Sequence, residues 1–264
     1  MDVTKFKDIN LFLFDMDGTL YLGDNLFSFT TELLKAINDA GKRYMFMTNN
    51  SSKSVDDYIK KLKRLGISST RKDFITSSQA TAYYLKKHHK NARLYVCGTR
   101  SLIDELQNEG FVVTNNIDDV DCIVLGNDQE LTFKKLEDIC KILLSRDVPY
   151  IATNPDYVCP TEFGSVPDCG SFIDMLYNCV KKRPTVIGKP EPLMPQLAME
   201  QTGYSKGETA VIGDRIYTDV KSGVNAGAVS VLVLSGEATV EDLKQSDIVP
   251  DIVIDDCGVI IKYL

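Results

Sequence analysis

Short, uniformly apolar runs set the strongest limit on what this chain can fold into. Leu11–Phe14 is apolar at every position, and Tyr44–Thr48, Arg93–Cys97, Cys122–Leu125, Tyr150–Ala152, Thr185–Ile187, Thr209–Ile212 and Ser230–Leu234 are similarly short and rich in apolar residues. They lack the in/out alternation of a strand with one wet face. Strands buried on both faces belong to parallel sheets covered by helices. The stretches between them carry a helical period instead. Thr30–Ala40 sets Leu33, Leu34 and Ile37 on one side and closes at Gly41, and Ser54–Leu65 sets out Tyr58, Ile59, Leu62 and Leu65 before Gly66. Leu102–Glu109, Phe133–Leu144, Met194–Gln201 and Asp219–Ala226 read as further helices. The expected class is α/β with a parallel sheet. With Leu20–Leu22 as a return strand, the candidates are too many for one ordinary sheet. Two α/β lobes are therefore expected, although no Gly/Ser linker or composition break places the seam.

Composition narrows the function classes. The chain has 264 residues, enough for one large domain or two modest ones. Its net charge of −7 disfavours a broad nucleic-acid surface, which needs basic side chains to meet phosphates. A small anionic substrate would need positive charge supplied locally, by a metal, a lysine or helix N-termini. The seven cysteines form no CxxC pair, so reduced thiols are expected rather than a zinc site or disulfides. The only histidines, His88 and His89, sit among Lys86, Lys87 and Lys90, which reads as a solvated helix end. Asp2, Asp8 and the brevity of the first apolar run argue against a signal peptide. No apolar run is long enough to span a bilayer. A cytoplasmic protein without a membrane or nucleic-acid partner is expected.

The strand ends carry the chemistry. Leu11–Phe14 runs straight into Asp15 and then Asp17. A carboxylate near an apolar interior is costly unless something compensates, and reactive groups gather at the carboxyl ends of parallel strands. Asp17-Gly18 can simply be a tight hairpin turn. Alternatively, the two carboxylates hold a hard cation and one attacks a substrate; a hairpin can also carry such a site. Another strand ends in Thr48-Asn49-Asn50-Ser51-Ser52 just before a helix, which offers hydroxyls and N–H groups to an anion, or an ordinary N-cap. Lys189 sits in the loop Gly188-Lys189-Pro190, and Gly213-Asp214-Arg215 is followed by Asp219. Singly, each is a turn, a cap or a surface charge. Together they match the needs of Mg²⁺ and phosphoryl binding.

These residues have the order and spacing of the haloacid-dehalogenase superfamily, whose members are mostly phosphatases. Asp15-Met16-Asp17-Gly18-Thr19 resembles its DxDGT motif, Thr48-Asn49-Asn50 its second motif, Lys189 its third and Gly213-Asp214…Asp219 its fourth. TNNSSKS, ATNPD (Ala152–Asp156), VIGKPEP (Val186–Pro192) and the segment Gly213–Gly236 are similar to the NagD-like, 4-nitrophenyl phosphatase subfamily with its type IIA cap. That resemblance implies a Rossmann-like core of residues 1–79 and 183–264, an inserted α/β C2-type cap of residues 80–182, and homodimers formed through the cap.

The resemblance also implies Mg²⁺-dependent hydrolysis of small phosphate monoesters through an aspartyl-phosphate. Asp15 would be the nucleophile, and Asp17 the acid and then the base. Asp15, Asp17 through its main-chain carbonyl, and Asp214 would hold the metal. Thr48, Asn49, Asn50 and Lys189 would bind the phosphoryl group, with Asp219 supporting Lys189 or the metal's surroundings. Asp156 and Cys159, with Val158 between them, are the cap residues expected to reach the substrate. Some relatives carry a histidine where Cys159 falls. A dehalogenase is disfavoured by Asp17, and a phosphomutase by the cap position. A phosphoaspartate receiver-type signalling protein and a non-catalytic phosphate binder are the remaining alternatives. Nucleotide, phosphoglycolate, pyridoxal phosphate and sugar phosphate all stay open as substrates.

Overall fold

The computed structural model describes residues 2–161 and 163–264. In chain order, β1 (Leu11–Phe14) is followed by a ribbon of β2 (Tyr21–Leu22) and β3 (Asn25–Leu26), then α1 (Thr30–Asp39), β4 (Arg43–Thr48), α2 (Val55–Arg64) and β5 (Phe74–Thr76). Next come α3 (Ser77–His88), β6 (Arg93–Cys97), α4 (Arg100–Asn108), β7 (Val112–Val113), β8 (Cys122–Leu125), α5 (Phe133–Ser145) and β9 (Tyr150–Ala152). A second ribbon, β10 (Val158–Thr161) and β11 (Gly164–Pro167), precedes α6 (Cys169–Val180) and β12 (Thr185–Val186). The chain finishes with α7 (Leu193–Thr202), β13 (Thr209–Gly213), α8 (Lys221–Ala226), β14 (Val229–Val233), α9 (Val240–Gln245) and β15 (Ile252–Ile254).

Two compact units result. The first comprises the chain up to Thr48 together with Val55–Ile75 and Lys189–Leu264. Its sheet has the order β15-β14-β13-β1-β4-β5. β1 lies between β13 and β4, parallel to both, with Phe14 opposite Ile212 and Phe46. All four β1 residues are buried, as their unbroken apolar run requires. Phe12 and Phe14 join Leu33 and Ile37 of α1, Leu62 of α2, and Phe46 and Phe74 in one core. Each such side chain contributes roughly 1.5–3 kcal/mol by leaving water. Because parallel strands end on the same edge, the residues after β1 and β13 emerge side by side: Asp15 N–H donates to the Ile212 carbonyl at 2.8 Å. The turn after β1 does not return as its neighbour; β2 pairs antiparallel with β3.

The second unit comprises Asn49–Ser54 and Thr76–Gly188. Its parallel sheet has the order β12-β9-β8-β6-β7. Ile123, Leu125 and Tyr95 of this sheet pack with Ile139 and Ile142 of α5 and Phe172 and Leu176 of α6. The unit's long part starts at Thr76, which caps α3 by accepting the Gln79 N–H. At its end, the Ile187 and Gly188 N–H groups donate to the Ala152 and Thr153 carbonyls. Cys97, Cys122, Cys140, Cys169, Cys179 and Cys257 are free thiols. Among the described residues no helix is long and apolar enough to cross a membrane.

Candidate active site

The first unit gathers its acidic residues at the carboxyl edge of its sheet. Asp15 follows β1 and Asp214 follows β13. Asp219 comes from the wide turn Ile216–Val220, where Val220 N–H reaches back to the Arg215 carbonyl at 3.2 Å. Such wide turns are frequent at functional sites. Carboxylate oxygens of Asp15, Asp214 and Asp219 all lie within 4.8 Å of one another.

Lys189, 2% exposed, is set among them. Its Nζ donates to Asp15 Oδ1 at 2.6 Å, Asp219 Oδ1 at 2.5 Å and the Met47 carbonyl at 3.3 Å. An ammonium has three hydrogens, and here each has an acceptor. Burial alone would push the Lys189 pKa down, but Asp15 and Asp219 outweigh it and hold it above its ordinary value. Asp15 is pushed up to about 8 by burial, with Asp219 and Asp214 repelling its charge and Lys189 opposing them. Asp214 is pushed up to about 6 by burial and by Asp219. Three carboxylates against one lysine leave the pocket short of positive charge.

A loop that the strand-end reading passed over closes on Asp214. Glu237 N–H donates to Asp214 Oδ2 at 2.7 Å, and the Ser235 hydroxyl donates to the Gly18 carbonyl at 2.8 Å. The Glu237 carboxylate is gripped by Arg215 Nε at 2.8 Å and by the Tyr217 hydroxyl at 2.8 Å. A Cβ on Gly236 would stand 2.1 Å from Asp214 Oδ2, and one on Gly18 2.3 Å from it. Gly18 also takes φ +83°, where side chains are strained. Ser235 follows the end of β14, so the strand-end rule applied there marks it out.

These carboxylates suit a hard divalent ion. The donors are all oxygen, they converge, and their charge is under-compensated. The Asp17 carboxylate is not among them. It is 45% exposed, with Oδ2 4.0 Å from Lys61 Nζ.

The remaining expected residues take other places. Thr48, 7% exposed, ends β4 in the first unit. Asn49 and Asn50 belong to the second unit. Asn49 Nδ2 donates to Asp156 Oδ2 at 2.7 Å, and Asn50 Oδ1 accepts the Ser52 N–H at 2.9 Å. Asp156 is buried and also accepts from Asn154 Nδ2 at 2.8 Å, so its carboxylate braces the second unit from within. Cys159 sits half-buried on β10, opposite Val166.

A haloacid dehalogenase-like hydrolase family model matches residues 12–112, and a HAD-hydrolase-like model matches residues 186–259. The acid sugar phosphatase of Staphylococcus aureus is 32% identical over 244 residues, covering 92% of this chain and 93% of that protein. The crystal structure of a 4-nitrophenylphosphatase from Thermotoga maritima superposes with a TM-score of 0.93 at 39% identity, covering 98% of each chain. That of a glycerol phosphate phosphatase from Mycobacterium tuberculosis, in complex with calcium, gives a TM-score of 0.90 at 27% identity, covering 97% of this chain and 76% of the other. With its edge of converging carboxylates and these relatives along nearly its whole length, the chain belongs to the haloacid dehalogenase-like hydrolases.

Proposed function

We propose that this hydrolase is a Mg²⁺-dependent phosphatase that cleaves small phosphate monoesters through an aspartyl-phosphate on Asp15. The observation that carries the reading is the contact of Asp15, Lys189 and Asp219 beside Asp214. Phosphate-ester hydrolysis has one of the highest uncatalysed barriers known, and bringing a carboxylate to an anionic ester adds charge repulsion. Bound Mg²⁺ supplies compensating charge and orientation.

The chain's own residues do the rest. An Asp15 oxygen attacks phosphorus while the bond to the leaving oxygen breaks, and Asp17 gives that oxygen its proton. Water then attacks phosphorus and passes a proton to Asp17, the bond to Asp15 breaks, and phosphate leaves. Lys189 holds one Asp15 oxygen and lies where charge builds on the phosphoryl group. Asp219 keeps Lys189 charged and aimed. Thr48, at the end of the neighbouring strand, supplies a hydroxyl for the phosphoryl oxygens. Relatives named for acid sugar and glycerol phosphates make sugar and polyol phosphates the first substrates to try.

The test is phosphate release from a panel of metabolite phosphates, with Mg²⁺ and with chelator. Wild-type protein is expected to turn over only with the metal. Asp15→Asn is expected to fold normally and release no phosphate; near-wild-type activity in that variant removes Asp15 from the nucleophile's role.

A further inference from the structure

Lys61 does not behave like the other basic residues of α2. Lys60 carries a side chain 77% exposed, and Lys63 and Arg64 are also exposed, whereas the Lys61 side chain is only 14% exposed. Its Nζ sits 4.0 Å from the centre of the Tyr21 ring and 4.0 Å from Asp17 Oδ2. Tyr21 is 2% exposed, and its carbonyl accepts the Gly18 N–H at 2.7 Å. The ring is therefore fixed to the same turn that carries Asp17. A cation over an aromatic face is held by the ring's quadrupole. A general acid has to lie within hydrogen-bond reach of the atom it protonates, and Lys61 is a cation beside the half-exposed Asp17 carboxylate.

We propose that Lys61 is a positioning residue for the acid/base step: seated on Tyr21, its ammonium holds the Asp17 carboxylate in place for both proton transfers. The proposal rests on the reading of Asp17 given above. It is distinct from a packing role. An ion pair of this kind adds little to stability, so its loss acts on the steps that need Asp17. Arginine preserves the charge and stacks on the ring.

The experiment compares wild type, Lys61→Met and Lys61→Arg with Mg²⁺ on an alkyl phosphate and on 4-nitrophenyl phosphate. For Lys61→Met, kcat on the alkyl phosphate is expected to fall about three- to fivefold, the range that an ion pair of this kind can supply by positioning, as part of the 10²–10⁴-fold that acid–base catalysis contributes. KM is expected to stay within about twofold, since binding is not what was removed. With 4-nitrophenyl phosphate the leaving group departs unaided, and the phospho-enzyme then waits for its base. Nitrophenolate should appear in a burst matching the enzyme, followed by a slow phase. Lys61→Arg should restore most of the rate. Unchanged kcat on both esters, or an equal fall on both without a burst, overturns the proposal. Should Lys61→Met fail to fold, Lys61→Gln set against Lys61→Arg makes the same comparison. Asp17→Asn separates the two levels. If it keeps full turnover on the alkyl phosphate, the reading of Asp17 fails; if it is inactive while Lys61→Met turns over like wild type, only Lys61 is misassigned.

Discussion

The ammonium of Lys189 stays charged in a buried place because two carboxylates and a carbonyl take its hydrogens. Removing one partner of such a buried pair typically costs about 3–5 kcal/mol, since the other charges stay behind uncompensated. Lys189→Met is therefore expected to melt well below wild type as well as to lose activity; an unchanged melting temperature would mean the charges are not coupled as described. The carboxyls give a second expectation. Burial raises Asp15 to about 8 and Asp214 to about 6, above the ordinary value that the unfolded chain shows. Between that value and the raised one, the folded state binds more protons than the unfolded state, so metal-free stability falls as pH rises. A divalent ion relieves this penalty by displacing those protons. The melting-temperature gain on adding Mg²⁺ should thus grow from pH 5 to pH 8, and a gain independent of pH would contradict this charge balance.

Among the elements, the Ser235–Glu237 loop after β14 fixes Asp214 most directly. A methyl group at Gly236 would overlap Asp214 Oδ2, so Gly236→Ala must move either the loop or the carboxylate. Groups that orient metal ligands commonly set affinity by about 10–100-fold. Mg²⁺ binding measured by calorimetry should weaken by that much, and an unaltered affinity would show that the loop does not hold Asp214. Much of the element pattern was legible in the sequence, because a strand buried on both faces has to be apolar throughout. Arg93–Cys97, Cys122–Leu125 and Tyr150–Ala152 are read with their observed bounds. The edge strand β15, Ile252–Ile254, does not stand out because Asp251 and Asp255-Asp256 flank it closely and make the stretch read as a loop. α6 escaped notice because most of its residues are apolar or small, so its face does not stand out from its periphery.

At the scale of the whole molecule, the limits of legibility are matters of sequence distance. The carboxylates and Lys189 could be read as a set because each follows a strand in a parallel sheet. The bond from Asn49 to Asp156 spans 107 positions, and nothing local in either segment announces it. It ties the short Asn49–Ser54 segment to the long Thr76–Gly188 part of the second unit. Asp156→Ala would leave the amides of Asn49 and Asn154 without that buried acceptor, at about 1–3 kcal/mol each. A clear drop in melting temperature is expected, and an unchanged one would show the tie to be incidental.

On this mechanism the phosphoryl group passes from ester to water by way of Asp15. Acid-quenching the enzyme during turnover and mapping its peptides by mass spectrometry tests this most directly. A phosphoryl adduct on the peptide containing Asp15, formed with Mg²⁺ and missing with chelator or in Asp15→Asn, is the predicted result. An adduct on another residue, or steady phosphate release by Asp15→Asn, would remove Asp15 from the reaction path.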